Sequence, residues 1–210
     1  QKSVSPDDVV WTYAGVRPLY DDNSGNASAV TRDYVLDVDA SGAPILSVFG
    51  GKITTFRKLA EHALEKLVTY LPVLGGPSWT ADTPLPGGDF ASAEFDRQVA
   101  KLQAYAPHLT PKTAWRLVRN YGLRAFDIAT AAETEMGQWF GATLSAREVD
   151  YLIDNEWARS AEDILWRRSK LGLFMTDAEK AALQAYMEER AGTDRPTGSE
   201  ASQTWRQDVA

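Results

Sequence analysis

The clearest chemical pattern in the chain is Phe49-Gly50-Gly51-Lys52-Ile53-Thr54-Thr55, set between a strand-like run and a helix-like run. Paired glycines permit backbone angles and close approaches that other residues forbid. A helix that starts here presents unbonded N–H groups and the positive end of its dipole, which suits an anion or an electron-rich ring edge. Lys52 adds a full positive charge at the same place. The plainer reading is a strand-to-helix turn with a solvated lysine. A phosphate-cradling P-loop is excluded, because that pattern needs glycine where Leu46 stands and Ser or Thr where Ile53 stands.

Two arginines belong to the same inventory. In Tyr13-Ala14-Gly15-Val16-Arg17-Pro18-Leu19-Tyr20, the proline holds Arg17 away from helical backbone angles. That stiffness could aim a guanidinium at a carboxylate or other oxyanion, which it grips with two parallel hydrogen bonds. Arg32, beside Asp33, has similar standing, and a surface ion pair explains either residue as well. Arg17, Arg32 and Lys52 could converge on one phosphate, and spacing alone leaves that open.

Other patterns carry less. Asp37-Val38-Asp39-Ala40-Ser41-Gly42 opens like a calcium loop, but Val48 occupies the closing glutamate position and strand-like runs flank it. His62 and His108 lack partners at ligand spacing, so no metal site is expected. In Asn155-Glu156-Trp157-Ala158-Arg159 and Asp163-Ile164-Leu165-Trp166-Arg167-Arg168, tryptophans stand beside arginines. Such pairs suit a helix–helix junction with a buried Trp face, or else the lip of a substrate entrance or a subunit contact.

The elements that position these groups change character along the chain. Val9–Tyr13, Thr31–Val38 and Ile45–Phe49 read as short strands, separated by the polar loop Asp21–Asn26 and the turn Ala40–Pro44. Phe56, Leu59, Ala60, Ala63, Leu64 and Leu67 then fall at helical spacing, and Pro72 closes the segment. Everything beyond 88 reads as helical. One helix carries Phe95, Val99 and Leu102. The next starts at Thr110-Pro111 and ends before Gly122. Ser145…Glu148 and Thr176…Glu179 have capping-box spacing, and Ser160 can cap a helix carrying Ile164, Leu165 and Arg168. The expected fold class is α+β: a small sheet with one long helix over residues 1–82, a linker at 83–88, an all-α domain at 89–192, and a mobile tail at 193–210. A sheet of about three strands rarely buries both its faces without partner strands or covering helices.

Composition narrows the partners. With 210 residues, 44% of them hydrophobic and 24% charged, the chain is an ordinary globular sequence. A net charge of −7 argues against nucleic-acid binding. The absence of cysteine removes disulfides, thiolate nucleophiles and cysteine zinc sites. No run approaches the roughly 20 apolar residues of a membrane span. Gln1–Asp8 is polar and does not read as a secretory leader.

Three long stretches, Val10–Asp22, Ala29–Tyr34 and Leu46–Glu61, together with Leu85-Pro86-Gly87-Gly88 and Asp154–Gly172, resemble the aerobic FAD-dependent glycerol-3-phosphate dehydrogenases. These belong to the flavoprotein group that resembles D-amino-acid oxidase. The resemblance runs from about Val9 to Arg190. It implies that the small sheet is a remnant of the flavoprotein core and that this chain is the carboxy-terminal portion of such an enzyme. It further implies oxidation of sn-glycerol 3-phosphate to dihydroxyacetone phosphate, with FAD as hydride acceptor and quinone as final acceptor. The implied location is cytoplasmic, peripheral at the inner face of a membrane, with room for a homodimer. No Gly-x-Gly-x-x-Gly follows a first strand, so this chain by itself is not expected to hold FAD tightly or to be active.

By resemblance, Arg17 and Lys52 are the catalytic residues, and Arg17, Arg32 and Lys52 line the substrate site. Gly50, Gly51, Lys52, Ile53 and Thr54 form the turn that meets the cofactor. Two other functions stay open: an autonomous helical interaction or assembly module without catalysis, or part of an amine or 2-hydroxy-acid oxidase using Arg17 on a carboxylate.

Overall fold

A computed structural model describes residues 3–16, 20, 33–71 and 76–193. The fold is α+β, and the chain divides into two compact units, residues 1–84 and 85–210. The polar loop Asp21–Asn26, both arginines Arg17 and Arg32, and the tail beyond 193 lie outside the described residues.

In the first unit, β1 (Tyr34–Asp39) and β2 (Ile45–Gly50) form an antiparallel hairpin in which Tyr34 faces Gly50 and Asp39 faces Ile45. Asp39 fixes the turn by accepting the Ser41 N–H at 2.9 Å. A short 3₁₀ turn, Ile53–Thr55, then leads into α1 (Phe56–Leu67). Val9–Tyr13 forms no strand: with no neighbouring strand among the described residues to accept its ladder, Val10 and Tyr13 stay exposed and Trp11 stacks on Tyr13 at 5.5 Å. Among the described residues of this unit, Glu61 is the one buried side chain, and every apolar residue keeps contact with solvent. Phe49 and Phe56 are about half exposed, at 45% and 54%. Two strands and one helix do not enclose a core, so local polar contacts must hold this unit's geometry.

Among the described residues, the second unit holds all the buried apolar side chains. Its helices are α2 (Phe95–Tyr105), α3 (Pro111–Tyr121), the short α4 (Ala125–Ile128), α5 (Ala146–Glu156) and α6 (Asp177–Thr193). Ala114, Leu117, Val118 and Tyr121 give α3 an apolar face at the i, i+3, i+4, i+7 spacing. That face and Leu102 of α2, Val149 and Leu152 of α5, Ile164, Leu165 and Leu183 join one core. Each fully buried Leu or Ile contributes about 1.5–3 kcal/mol. Thr110 caps α3 through the Thr113 N–H, Pro111 occupies the first position, and Gly122 ends the helix at φ +58°.

Residues 85–88, read from sequence as part of a linker, pack within this unit. Gly87 accepts the Leu123 N–H at 2.8 Å, and its backbone meets that of Tyr121 and Gly122 so closely that neither glycine has room for a Cβ. The all-helical expectation for this region also missed a hairpin. Strands β3 (Trp139–Gly141) and β4 (Leu144–Ser145) are too short to show alternation. Their two-residue turn, Ala142-Thr143, has positive φ at both positions (44° and 75°) without the usual Asn-Gly signal.

A buried ion pair explains that turn. Arg116 of α3 makes two 2.6 Å bonds to the Glu148 carboxylate of α5. It also donates to the Thr143 carbonyl at 2.9 Å and hydroxyl at 2.8 Å, and Tyr121 donates to Glu148 at 2.7 Å. Ser145 accepts the Glu148 N–H as the capping-box spacing predicted, but the Glu148 side chain does not return to the cap because Arg116 and Tyr121 hold it. At Thr176 and Glu179 the box is reciprocal. Ser160 caps the following segment, which winds as a π-helical turn over Asp163–Arg168 rather than as an α-helix.

Glu148 is 1% exposed and Arg116 13%. Replacing Arg116 by Met strands a buried carboxylate and should cost about 3–5 kcal/mol in urea unfolding followed by helical circular dichroism. Pairing it with Glu148→Leu should recover much of that loss. A single-variant cost below about 1 kcal/mol would place the pair with weak surface bridges.

Candidate functional site

The residues singled out at 50–54 come together as one turn. β2 ends at Gly50 with φ +74°, and Gly51 follows at φ +99°. Both glycines are favoured by angle, and the space beside them is tight. A Cβ at Gly50 would lie 3.1 Å from the Tyr20 nitrogen and 3.2 Å from the Asp33 oxygen, and one at Gly51 would lie 3.3 Å from the Tyr34 Cβ. Lys52 then turns extended at φ −124°, ψ 143°, and the backbone winds up at once. Thr55 ties the turn back through its N–H (3.0 Å) and hydroxyl (2.9 Å) to the Lys52 carbonyl.

The start of this winding is open. No side chain caps it, and Lys52, Ile53 and Thr54 are exposed, Ile53 to 87%. Nothing acidic lies in the first turn of α1. The local field is therefore positive, from the lysine and from the helix end together. Such a turn can receive an electron-rich edge that approaches its backbone. Arg17 and Arg32 lie outside the described residues, so the structure does not bear on their convergence with Lys52.

Two polar devices hold α1, and neither was singled out from sequence. Tyr34, at the start of β1, shares a 2.6 Å hydrogen bond between its hydroxyl and Nδ1 of His62 on α1, and the two rings lie 5.8 Å apart. Glu61, one residue earlier and 7% exposed, gathers Arg57 at 2.9 Å, Lys58 at 2.7 Å, and the hydroxyls of Ser78 and Thr80. It thereby pins residues 78–80 to the helix. Hydrogen bonds from Lys58, then Ser78 and Thr80, pull its carboxyl down to about 2 from an ordinary 4.5. A cavity of about 410 Å³ lies between Glu61, Leu64, Val68 and the 76–80 segment, and another of about 460 Å³ is lined by Tyr34, Leu36, His62, Glu65 and Lys66.

In the second unit the tryptophans divide. Trp166 lies half-buried against the core, over Gly172, where an added Cβ would sit 2.6 Å from its ring. Trp157 does not join a buried face. It ends α5 in the left-handed conformation at φ 57° and is 78% exposed. Arg167 pairs with Asp163 of its own segment at 2.6 Å, and Arg168 reaches Glu156 at the end of α5 at 3.7 Å. His108 sits between α2 and α3 with both ring nitrogens buried and unbonded. No group of three metal-ligating side chains occurs among the described residues.

The family described as the C-terminal domain of alpha-glycerophosphate oxidase matches residues 78–193, and the chain belongs to that family. More particular likenesses cover nearly the whole chain. It is 45% identical over 193 residues to the aerobic glycerol-3-phosphate dehydrogenase of Escherichia coli (strain K12), which is 90% of this chain and 38% of that protein. It is 47% identical over 179 residues to the D-erythritol 1-phosphate dehydrogenase of Brucella abortus, which is 84% of this chain and 36% of that one. The mitochondrial glycerol-3-phosphate dehydrogenase of Rattus norvegicus is 34% identical over 86% of this chain, a quarter (25%) of its own length. The chain thus spans less than two fifths of each of these relatives.

The depressed Glu61 carboxyl has a definite sign. Its contribution to holding residues 78–80 is complete above about pH 4.5 and drains away as pH falls through about 2. A carbon-detected NMR titration of the carboxyl should give a midpoint near 2. Ser78→Ala together with Thr80→Val should move that midpoint upward. An ordinary midpoint in the unaltered chain would show that the clasp does not form.

Proposed function

We propose that this chain is part of an FAD-dependent dehydrogenase of a small polyol phosphate, with sn-glycerol 3-phosphate oxidised at carbon to dihydroxyacetone phosphate. The observation that carries the proposal is 45% identity to an aerobic glycerol-3-phosphate dehydrogenase over 90% of the chain. The glycine turn adds physical support. Its exposed, uncapped helix start and Lys52 fit the electron-rich edge of a flavin, and the glycines at 50 and 51 let the chain turn sharply into that start at positive φ.

Bound FAD would supply the hydride acceptor. This chain's part is to orient and to stabilise charge. Lys52 and the backbone N–H groups of Ile53 and Thr54 would present positive charge to the bound ring and stabilise the negative charge it gains as hydride acceptor. Fixed donors of this kind are worth about 3–4 kcal/mol each. Arg17 holds substrate oxygens over the ring, and Arg32 lines the phosphate pocket, both by resemblance. Quinone as final acceptor, peripheral attachment to the inner face of a membrane from the cytoplasmic side, and a homodimer complete the proposal. No helix among the described residues is long and apolar enough to cross a membrane. A second substrate, D-erythritol 1-phosphate, is favoured by the 47% identity to the Brucella abortus enzyme that bears its name.

The expected results separate substrate from cofactor. In a protein joining this chain to its dinucleotide-binding domain, Arg17→Ala and Arg32→Ala should each lower kcat/KM at least tenfold. Losing a charge-assisted contact to a buried anion costs about 2–5 kcal/mol, and each decade takes about 1.4. Lys52→Ala should lower the two-electron flavin potential. Unchanged kcat/KM in both arginine variants would remove the phosphate site, and an unmoved potential would reduce Lys52 to a solvated turn residue. Kinetics with the two polyol phosphates side by side decide the substrate. The chain expressed alone should purify colourless, and a stoichiometrically yellow preparation would contradict that.

A further inference from the structure

We propose that the Tyr34–His62 pair is a positioning strut, which fixes the direction in which the Gly50–Thr54 turn faces its cofactor. This rests on the functional reading above for the identity of the ligand. The mechanical part rests on the structure alone.

The turn has three attachments. β2 leads into it and is held in register by β1, where Tyr34 stands opposite Gly50. The same tyrosine lies under the next residue, its Cβ 3.3 Å from the position a Gly51 Cβ would take. α1 leaves the turn on the other side, and Leu59 of α1 reaches 3.7 Å from that same point. His62 lies six residues into α1, about 9 Å along its axis from Phe56. The 2.6 Å bond from the Tyr34 hydroxyl to His62 Nδ1 therefore closes a triangle of strand, turn and helix.

A closed triangle matters here because, among the described residues, no fully buried apolar contact sets the angle. The described residues of this unit bury no apolar side chain, so no packed core determines how α1 leaves the sheet. Glu61 ties the helix to residues 78–80 and not to the hairpin. Among the described residues, Tyr34–His62 is a side-chain hydrogen bond that joins β1 to α1. It has a phenol and an imidazole, both of which donate or accept, so it survives either tautomer. A shift of α1 against the hairpin would re-aim Lys52 and the Ile53 and Thr54 N–H groups, which join the two. Electrostatic donors lose their effect steeply with such misplacement.

The test uses Tyr34→Phe, which keeps the ring and removes the bond, His62→Leu, and His62→Asn, whose amide can replace Nδ1. In this chain, exchange of the Thr55 amide, bonded to Lys52, and of the Phe56 amide is read by NMR, with α3 amides as internal reference. One hydrogen bond lost should speed exchange at Thr55 and Phe56 roughly five- to tenfold in the Phe and Leu variants, with α3 unchanged and the Asn variant near the parent. In the flavin-loaded protein, the visible absorption band and midpoint potential should move in the Phe and Leu variants and return in the Asn variant. Unchanged exchange overturns the strut. Faster exchange with an unmoved band and potential overturns its role in positioning. If the parent protein takes up no flavin, the functional reading falls while the exchange result still decides the strut.

Discussion

The Arg116–Glu148 pair is the contact on which the helical unit's topology turns. A carboxylate that is 1% exposed needs compensation for its lost water, and the guanidinium supplies two bonds while Tyr121 supplies a third. Burial of the phenol, with the carboxylate beside it, pushes the Tyr121 hydroxyl far above its ordinary range, so it stays a donor. The same guanidinium holds Thr143 in a backbone conformation that threonine rarely adopts. One cation thus joins α3, α5 and the hairpin before α5. The surrounding leucines give the energy of burial, and the polar network fixes which helix faces which.

The first unit follows a different rule. It has no buried apolar side chain among its described residues, and its order comes from polar fastenings and from glycine. Gly50 and Gly51 admit neighbouring backbone and the Tyr34 side chain within contact distance, and Glu61 and His62 tie α1 to two different partners. An arrangement of this kind leaves the helix start open to solvent. Close backbone approach recurs where Gly87 meets Gly122, and there it serves packing. In both units glycine stands where neighbouring chain comes within contact distance.

Much was legible in the sequence because it depends on local rules. The period of Ala114, Leu117, Val118 and Tyr121 marks α3, and Thr110-Pro111 and Gly122 mark its ends. The strand pair and the glycine turn before α1 follow from apolar runs bounded by Pro44 and Gly50. Strand character at Val9–Tyr13 misled, since a β-prone run becomes a strand through its neighbour and not by itself. Trp157 misled in the same way: its size suggested burial, while its place at the end of α5 turned it outward.

By itself the sequence determined the α+β class, the helix ends, the capping serines and threonines and the glycine turn with Lys52, because backbone sterics and hydrophobic period act over a few residues. Tertiary structure alone decided that Glu148 leaves its cap for Arg116, that Tyr34 meets His62, and that Glu61 meets Ser78 and Thr80. Those partners stand 17 to 32 residues apart. The spacing of residue types along a chain carries no information about such pairs until folding brings the elements together.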